Sequence, residues 1–135
     1  DLVSKGLSLD QKNVCIIGAG AAVESILYVL AKNNVSLISI INRTQQNAER
    51  LIRKYSSMTN FQIETNETIQ YDLIINGSSA GLTGKFKPPS DLLLLDKKTF
   101  FYDLNYSLAE TPFCKWASRY SDNVCPMDSI NTSIF

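Results

Sequence analysis

Gly18, Gly20 and Arg43 are the residues whose types and spacing point most directly to chemistry. Gly18-Ala19-Gly20 follows the apolar, β-branched run at 13–18 (NVCIIG). It precedes a stretch, 21–33, with apolar residues at Val23, Ile26, Leu27 and Leu30. A Gly-x-Gly between a buried strand and a helix suits a phosphate. The first glycine makes a tight turn, the second lets an anion approach the backbone, and the N–H groups opening the helix point at the negative charge. Val23 stands where the third glycine of G-x-G-x-x-G would be, a position that serves helix–strand packing more than phosphate contact. Alone, such a loop can be a turn with no ligand; its flanking elements favour the phosphate.

The next apolar run, 37–42, ends Ile40-Ile41-Asn42-Arg43-Thr44. An NAD-selective site places Asp or Glu here, which hydrogen-bonds the ribose 2′-hydroxyl and repels a 2′-phosphate. This chain has neutral Asn42 and cationic Arg43 instead. A guanidinium can bind a phosphate in bidentate fashion, and Thr44 adds a hydroxyl at the start of a helix. The residues therefore point to NADP. A solvated surface arginine is the plain alternative.

The elements that must position these groups can be traced along the chain. Strands are expected at 13–18, 37–42, 61–64, 72–76 (DLIIN) and 99–104 (TFFYDL), each a short apolar run. Helices are expected at 21–33 and from a Thr44 cap to about Tyr55, through Ala48, Leu51 and Ile52. Pro88-Pro89 breaks the chain, and Ser90 is expected to cap a short helix through Leu95. Thr111-Pro112 opens another helix, continued by Phe113, Trp116, Ala117 and Tyr120. Alternating strands and helices give an α/β fold, a Rossmann-like doubly wound parallel sheet in three α/β/α layers. Residues 1–12 read as the remnant of an interdomain connection, and 13–135 as the nucleotide domain.

Composition narrows the function classes. The 135 residues carry 13 Lys+Arg and 13 Asp+Glu, so no broad basic field favours nucleic acid or an anionic membrane. With no histidine, the chain lacks the usual residue for acid–base work and metal ligation, and no metal site is expected. Three cysteines, Cys15, Cys114 and Cys125, without metal-type spacing suit a reducing cytoplasm. No apolar run approaches the roughly 20 residues of a membrane span. The missing initiating Met and the apolar ending Ser133-Ile134-Phe135 give the expectation of a fragment.

The segments GAGAA, NRTQQNAERL, DLIINGSSAGL and YDLNYSLAETPF, in that order, resemble the C-terminal half of the shikimate dehydrogenases. That family carries a G-A-G-G-A loop, N-R-T-x-x-R/K, D-L-I-I-N-A-T-S-x-G and Y-D-M-x-Y-x-P-x-x-T-P-F. The resemblance implies that Gly18, Ala19, Gly20, Ala21 and Ala22 line the pyrophosphate. It places Asn42, Arg43, Thr44 and Asn47 around the adenosine ribose and its 2′-phosphate, and Ser78 and Ser79 near the cofactor. It sets the backbone of Leu104 beside the nicotinamide and brings the Tyr106 hydroxyl to shikimate in an interdomain cleft. The implied activity is NADPH-dependent reduction of 3-dehydroshikimate to shikimate, in aromatic amino-acid biosynthesis, by a monomer or homodimer.

This chain also departs from the pattern. Asn47 replaces the family's second basic residue, and Asn105 and Leu108 stand where Val and Pro are frequent. The family's D-G-L-G-M-L-V-x-Q becomes Asp128-Ser129-Ile130-Asn131-Thr132-Ser133-Ile134-Phe135, without either glycine. Its N-V-T-x-P-x-K and G-x-N-T-D segments, which hold the catalytic Lys and Asp of a separate N-terminal domain, are not found. No catalytic residue is therefore expected in these 135 residues, which should bind nucleotide without turning over shikimate. Alternatives are a quinate/shikimate dehydrogenase-like or glutamyl-tRNA reductase-like enzyme, a non-catalytic nucleotide-sensing module, and a purely structural domain. Asp103, at a strand's end, reads as a residue orienting the next loop rather than a catalytic acid. Phe113, Trp116 and Tyr120 read as core or interface packing. Lys85 and Lys87, flanking Phe86, fall far short of a nucleic-acid footprint.

Overall fold

The computed structural model describes residues 8–63, 69–78, 86, 93–95, 97–106 and 109–127. In chain order the elements are β1 (Asn13–Ile17), α1 (Ala21–Lys32), β2 (Leu37–Ile41), α2 (Gln45–Tyr55) and β3 (Phe61–Ile63). They continue as β4 (Ile69–Gln70), β5 (Leu73–Asn76), β6 (Leu93–Leu94), β7 (Phe100–Tyr106), α3 (Pro112–Ala117) and β8 (Val124–Met127). Six strands form one sheet in the order β3-β2-β1-β5-β7-β8, every described pairing parallel. From β1 the chain runs outward to β2 and β3, then returns to pair β5 on the other side of β1. The connections after β1 and β5 therefore leave in opposite directions along the sheet, a switch point of the kind that holds the ligand crevice in doubly wound sheets.

Side-chain alternation along the strands builds the three layers. Val14, Ile16, Ile38, Ile40, Leu73 and Ile75 pack with Val23, Ile26, Leu27 and Leu30 of α1 and with Ala48 and Leu51 of α2. Cys15, Ile17, Ile74 and Phe101 point the other way and pack with Phe113, Cys114, Trp116 and Ala117 of α3. A strand covered on both faces needs apolar side chains on both, which is why β1 and β5 read as near-continuous apolar runs. Fully burying Leu27 or Leu30 contributes about 1.5–3 kcal/mol each. Within the second layer Phe101 meets Trp116 edge-on, ring centroids 5.6 Å apart, and Phe86 meets Phe113 edge-on at 6.1 Å. Tyr120 meets Trp116 edge-on from an exposed position beyond the helix end.

Polar groups inside this frame are matched. Ser39, alone in the apolar run of β2, accepts a hydrogen bond from the buried Tyr71 hydroxyl at 2.7 Å. Burial pushes the neighbouring Cys15 thiol up to about 12, so it packs as a small neutral hydrophobe. Glu24 of α1 pairs with Arg50 (3.3 Å) and Lys54 (2.6 Å) of α2, and the bond from Lys54 holds its carboxyl below the ordinary glutamate range.

Three expectations from the sequence need correction. The short helix after Ser90 is not found at its described end. Leu93 and Leu94 instead form β6, which pairs in parallel with β4 as a separate two-stranded sheet. The last helix stops at Ala117 rather than reaching Tyr120, and the strand β8 follows it. Thr44 occupies the N-cap of α2, but its side chain makes no capping hydrogen bond. Leu9, ahead of β1, is buried in the core beside it, at 5% exposure.

Candidate functional site

The crevice is lined by three loops. After β1, Gly18 takes φ +107°, a left-handed conformation that side chains rarely adopt. Its N–H donates to Ile41 O at the end of β2 (2.8 Å), and Gly77 N–H donates to Ile17 O (2.7 Å). A Cβ on Gly18 would lie 2.9 Å from Gly77 C and Ser78 N, so the loops after β1 and β5 touch through a position with no side chain. Gly18 is required by the protein itself.

Gly20 is a different case. Its φ of −87° suits any residue, and a Cβ there would meet no heavy atom of a described residue within 4 Å. No atom of a described residue accounts for the glycine; open space in front of it does. Gly20 is also the N-cap of α1 with no side-chain capping bond, and Ala21 and Ala22 behind it are exposed. The 12-residue helix thus presents its first-turn N–H groups and positive dipole end outward. This arrangement fits a pyrophosphate seated over Gly18–Ala22. Ala19 itself is buried and belongs to the core.

At the end of β2 the Asn42 amide donates to Thr44 O (2.7 Å), bridging over Arg43 and setting the turn into α2. Arg43 is exposed and makes no ion pair with a described residue, and Thr44 and Asn47 are exposed beside it. Gly18 N–H to Ile41 O joins this turn to the phosphate loop. Asn42, Arg43, Thr44 and Asn47 therefore share the α2 side of the crevice. The cationic group among them is exposed, with no described carboxylate paired to it.

Ser78 and Leu104 line the opposite side. Leu104 Cδ1 lies 3.4 Å from where a Cβ on Gly77 would be, placing the β7 end over the β5 loop. Tyr106 ends β7, in register with Met127 of β8, beyond an irregularity that begins after Asp103. Ser79, Lys85, Lys87, Leu108, Ser129 and Asn131 lie outside the described residues.

Sequence reasoning missed a polar cluster beneath this side. Asp103 is fully buried. Its carboxylate accepts from Asn76 Nδ2 (3.2 Å), Asn105 N (2.9 Å) and Thr111 Oγ1 (2.5 Å). Burial drives its carboxyl above the ordinary aspartate range, and these hydrogen bonds oppose the shift. The only hint was a polar residue, Asn76, closing an otherwise apolar strand. The expectation that Asp103 orients the following loop agrees with its bond to the Asn105 N–H.

Comparison with known proteins agrees with this architecture. Residues 1–83 match the family model described as shikimate / quinate 5-dehydrogenase. The chain is 34% identical over 122 residues to the shikimate dehydrogenase (NADP(+)) of Colwellia psychrerythraea, covering 89% of this chain and 44% of that protein. To the protein of the same name from Buchnera aphidicola subsp. Schizaphis graminum it is 37% identical over 122 residues, covering 88% and 44%. In fold it superposes on shikimate 5-dehydrogenase from Listeria monocytogenes, solved with shikimate and NAD. The TM-score is 0.75 at 22% identity, over 96% of this chain and 49% of that one. The chain thus spans less than half the length of these relatives. With its family match, its identities and its doubly wound sheet together, this chain belongs to the shikimate / quinate 5-dehydrogenase family.

Proposed function

We propose that residues 13–135 are the NADP-binding domain of a cytoplasmic shikimate dehydrogenase, and that 1–12 belong to the connection with a substrate domain outside these 135 residues. The observation that carries the nucleotide reading is Gly20. It is a glycine with unstrained backbone and open space, at the uncapped start of α1 beside a switch point. Gly18, Ala19, Gly20, Ala21 and Ala22 hold the pyrophosphate through backbone N–H groups. Asn42, Arg43, Thr44 and Asn47 receive the adenosine ribose and its 2′-phosphate. Ser78 and Leu104 border the nicotinamide, and Tyr106 reaches toward substrate. The Listeria fold is solved with NAD, so the fold alone does not select the phosphorylated nucleotide; Arg43 and the names of the relatives favour it. The buried positions of Cys15 and Cys114 suit a reducing compartment.

Bound nicotinamide supplies a hydride for carbonyl reduction. Ser78 and Leu104 would orient that ring. The described residues contain no group that this account assigns to proton transfer. In the full-length protein, NADPH oxidation driven by 3-dehydroshikimate tests the activity, while the 135 residues alone bind NADPH without turnover. The family description also covers quinate, so profiling both substrates decides between them. Turnover by the 135 residues alone, or no turnover of either substrate by the full-length protein, contradicts the proposal.

A further inference from the structure

The carboxyl ends of β5 and β7 are joined through one buried carboxylate, and nothing in the phosphate-loop account requires it. Asp103 takes hydrogen bonds from β5 (Asn76), from β7 (Asn105) and from the residue capping α3 (Thr111). Thr111 uses its hydroxyl twice: it donates to Asp103 and accepts from Cys114 N at 3.2 Å. Asn76 passes the connection on, since its Oδ1 accepts from Ser78 N (3.1 Å). Asn105 closes the circuit by donating from Nδ2 to Ser78 O (2.6 Å). Both backbone polar groups of Ser78 are thus held by side chains that Asp103 holds.

The position of this circuit gives it a purpose. The pairing of β7 with β8 runs in step to Asp103–Pro126 and then slips, so that Tyr106 faces Met127. Leu104 and Asn105 sit in the slipped segment, where a ladder gives up regular hydrogen bonds and re-aims side chains. Asp103 supplies a partner for the Asn105 N–H there. A buried carboxylate facing neutral donors is costly to keep, and a fold that needed only packing could use an apolar residue.

Resting on the nucleotide reading above, we infer that Asp103 is a positioning residue for the nicotinamide end of the cofactor. It fixes Ser78 and the Leu104–Asn105 bulge as one rigid wall across the crevice from the adenosine end. It touches neither cofactor nor substrate itself.

The test measures, by calorimetry on the full chain, the binding of NADPH and of 2′-phospho-ADP-ribose, which lacks the nicotinamide. Wild type should bind NADPH the tighter of the two. Asp103→Asn keeps the size but swaps an acceptor for a donor facing Asn76, Asn105 and Thr111. It should weaken NADPH about tenfold or more while leaving 2′-phospho-ADP-ribose within about twofold. Asn105→Ala removes the side-chain ties to Ser78 O and Asp103 but keeps the Asn105 N–H bond, and should weaken NADPH selectively in the same way; it decides the matter if Asp103→Asn does not fold. Equal losses for both ligands, no loss in a folded variant, or equal wild-type affinities would overturn the inference. Failure of wild type to bind either ligand would instead overturn the nucleotide reading.

Discussion

Val23 Cγ2 occupies the space that a Cβ on Gly77 would need, so these two residues share one volume at the switch point. Val23 is fully buried on the first turn of α1, and Gly77 begins the loop after β5. The pattern of the family has Ala at the position of Gly77. This chain has the larger helix residue and the smaller loop residue, and the α1–β5 spacing depends on both.

The first prediction follows from that pairing. Gly77→Ala should destabilise the chain by about 1–3 kcal/mol through overpacking. Val23→Ala should cost a comparable amount by leaving a void. The double substitution should recover most of the loss, because each change relieves the other. Urea unfolding of the four proteins checks this, and simple additivity would mean that the residues do not share the volume.

The two glycines of the phosphate loop should respond in opposite ways. Gly18→Ala forces a side chain into φ +107° and against Gly77 C and Ser78 N, so it should lower stability by more than about 1 kcal/mol. Gly20→Ser meets open space among the described residues and gains an N-cap hydroxyl, so it should raise stability by about 0.3 kcal/mol. The same serine fills the approach to the helix N-terminus, so NADPH affinity should fall at least about tenfold. Unchanged NADPH affinity in Gly20→Ser would place the phosphates elsewhere.

Asp103 should leave a signature in acid. Its folded carboxyl titrates above the ordinary aspartate value of 3.8, chiefly through burial, so the native state holds that proton more tightly than the unfolded chain. Between those two values stability falls as pH rises, and ionised Asp103 weighs against folding near neutrality. Relative to Asp103→Asn, wild type should therefore gain thermal stability as pH falls from neutral toward 4. A constant difference in Tm over that range, or a slope of opposite sign, contradicts the assignment.

How much of this was legible in the residues depends on the kind of interaction. β1, β2 and β5 were plain because burial on both faces demands near-continuous apolar runs. The phosphate loop was plain because a strand, Gly-x-Gly and a helix follow one another directly. β6 has two residues, too few for any period, and Ser90 after two prolines looked like a helix cap. β8, with Pro126 inside it, carries a residue that removes a ladder donor, and at the sheet edge it needs no full set of donors. The pairing of Val23 with Gly77 and the circuit around Asp103 join residues far apart in the chain. Only the parallel register of β1, β5 and β7 brings them together.

The central claim, an NADP site read from the end of β2, is tested most directly by the ratio of NADH to NADPH dissociation constants. It should be measured for wild type and for Arg43→Ala at one ionic strength. Arg43 is exposed, unpaired among the described residues and adjacent to the crevice, so the 2′-phosphate should gain about 1.5–3 kcal/mol from it. Wild type should therefore bind NADPH well over about tenfold tighter than NADH, and Arg43→Ala should lose most of that preference while NADH binding stays unchanged. Equal constants for the two nucleotides in wild type would contradict the account.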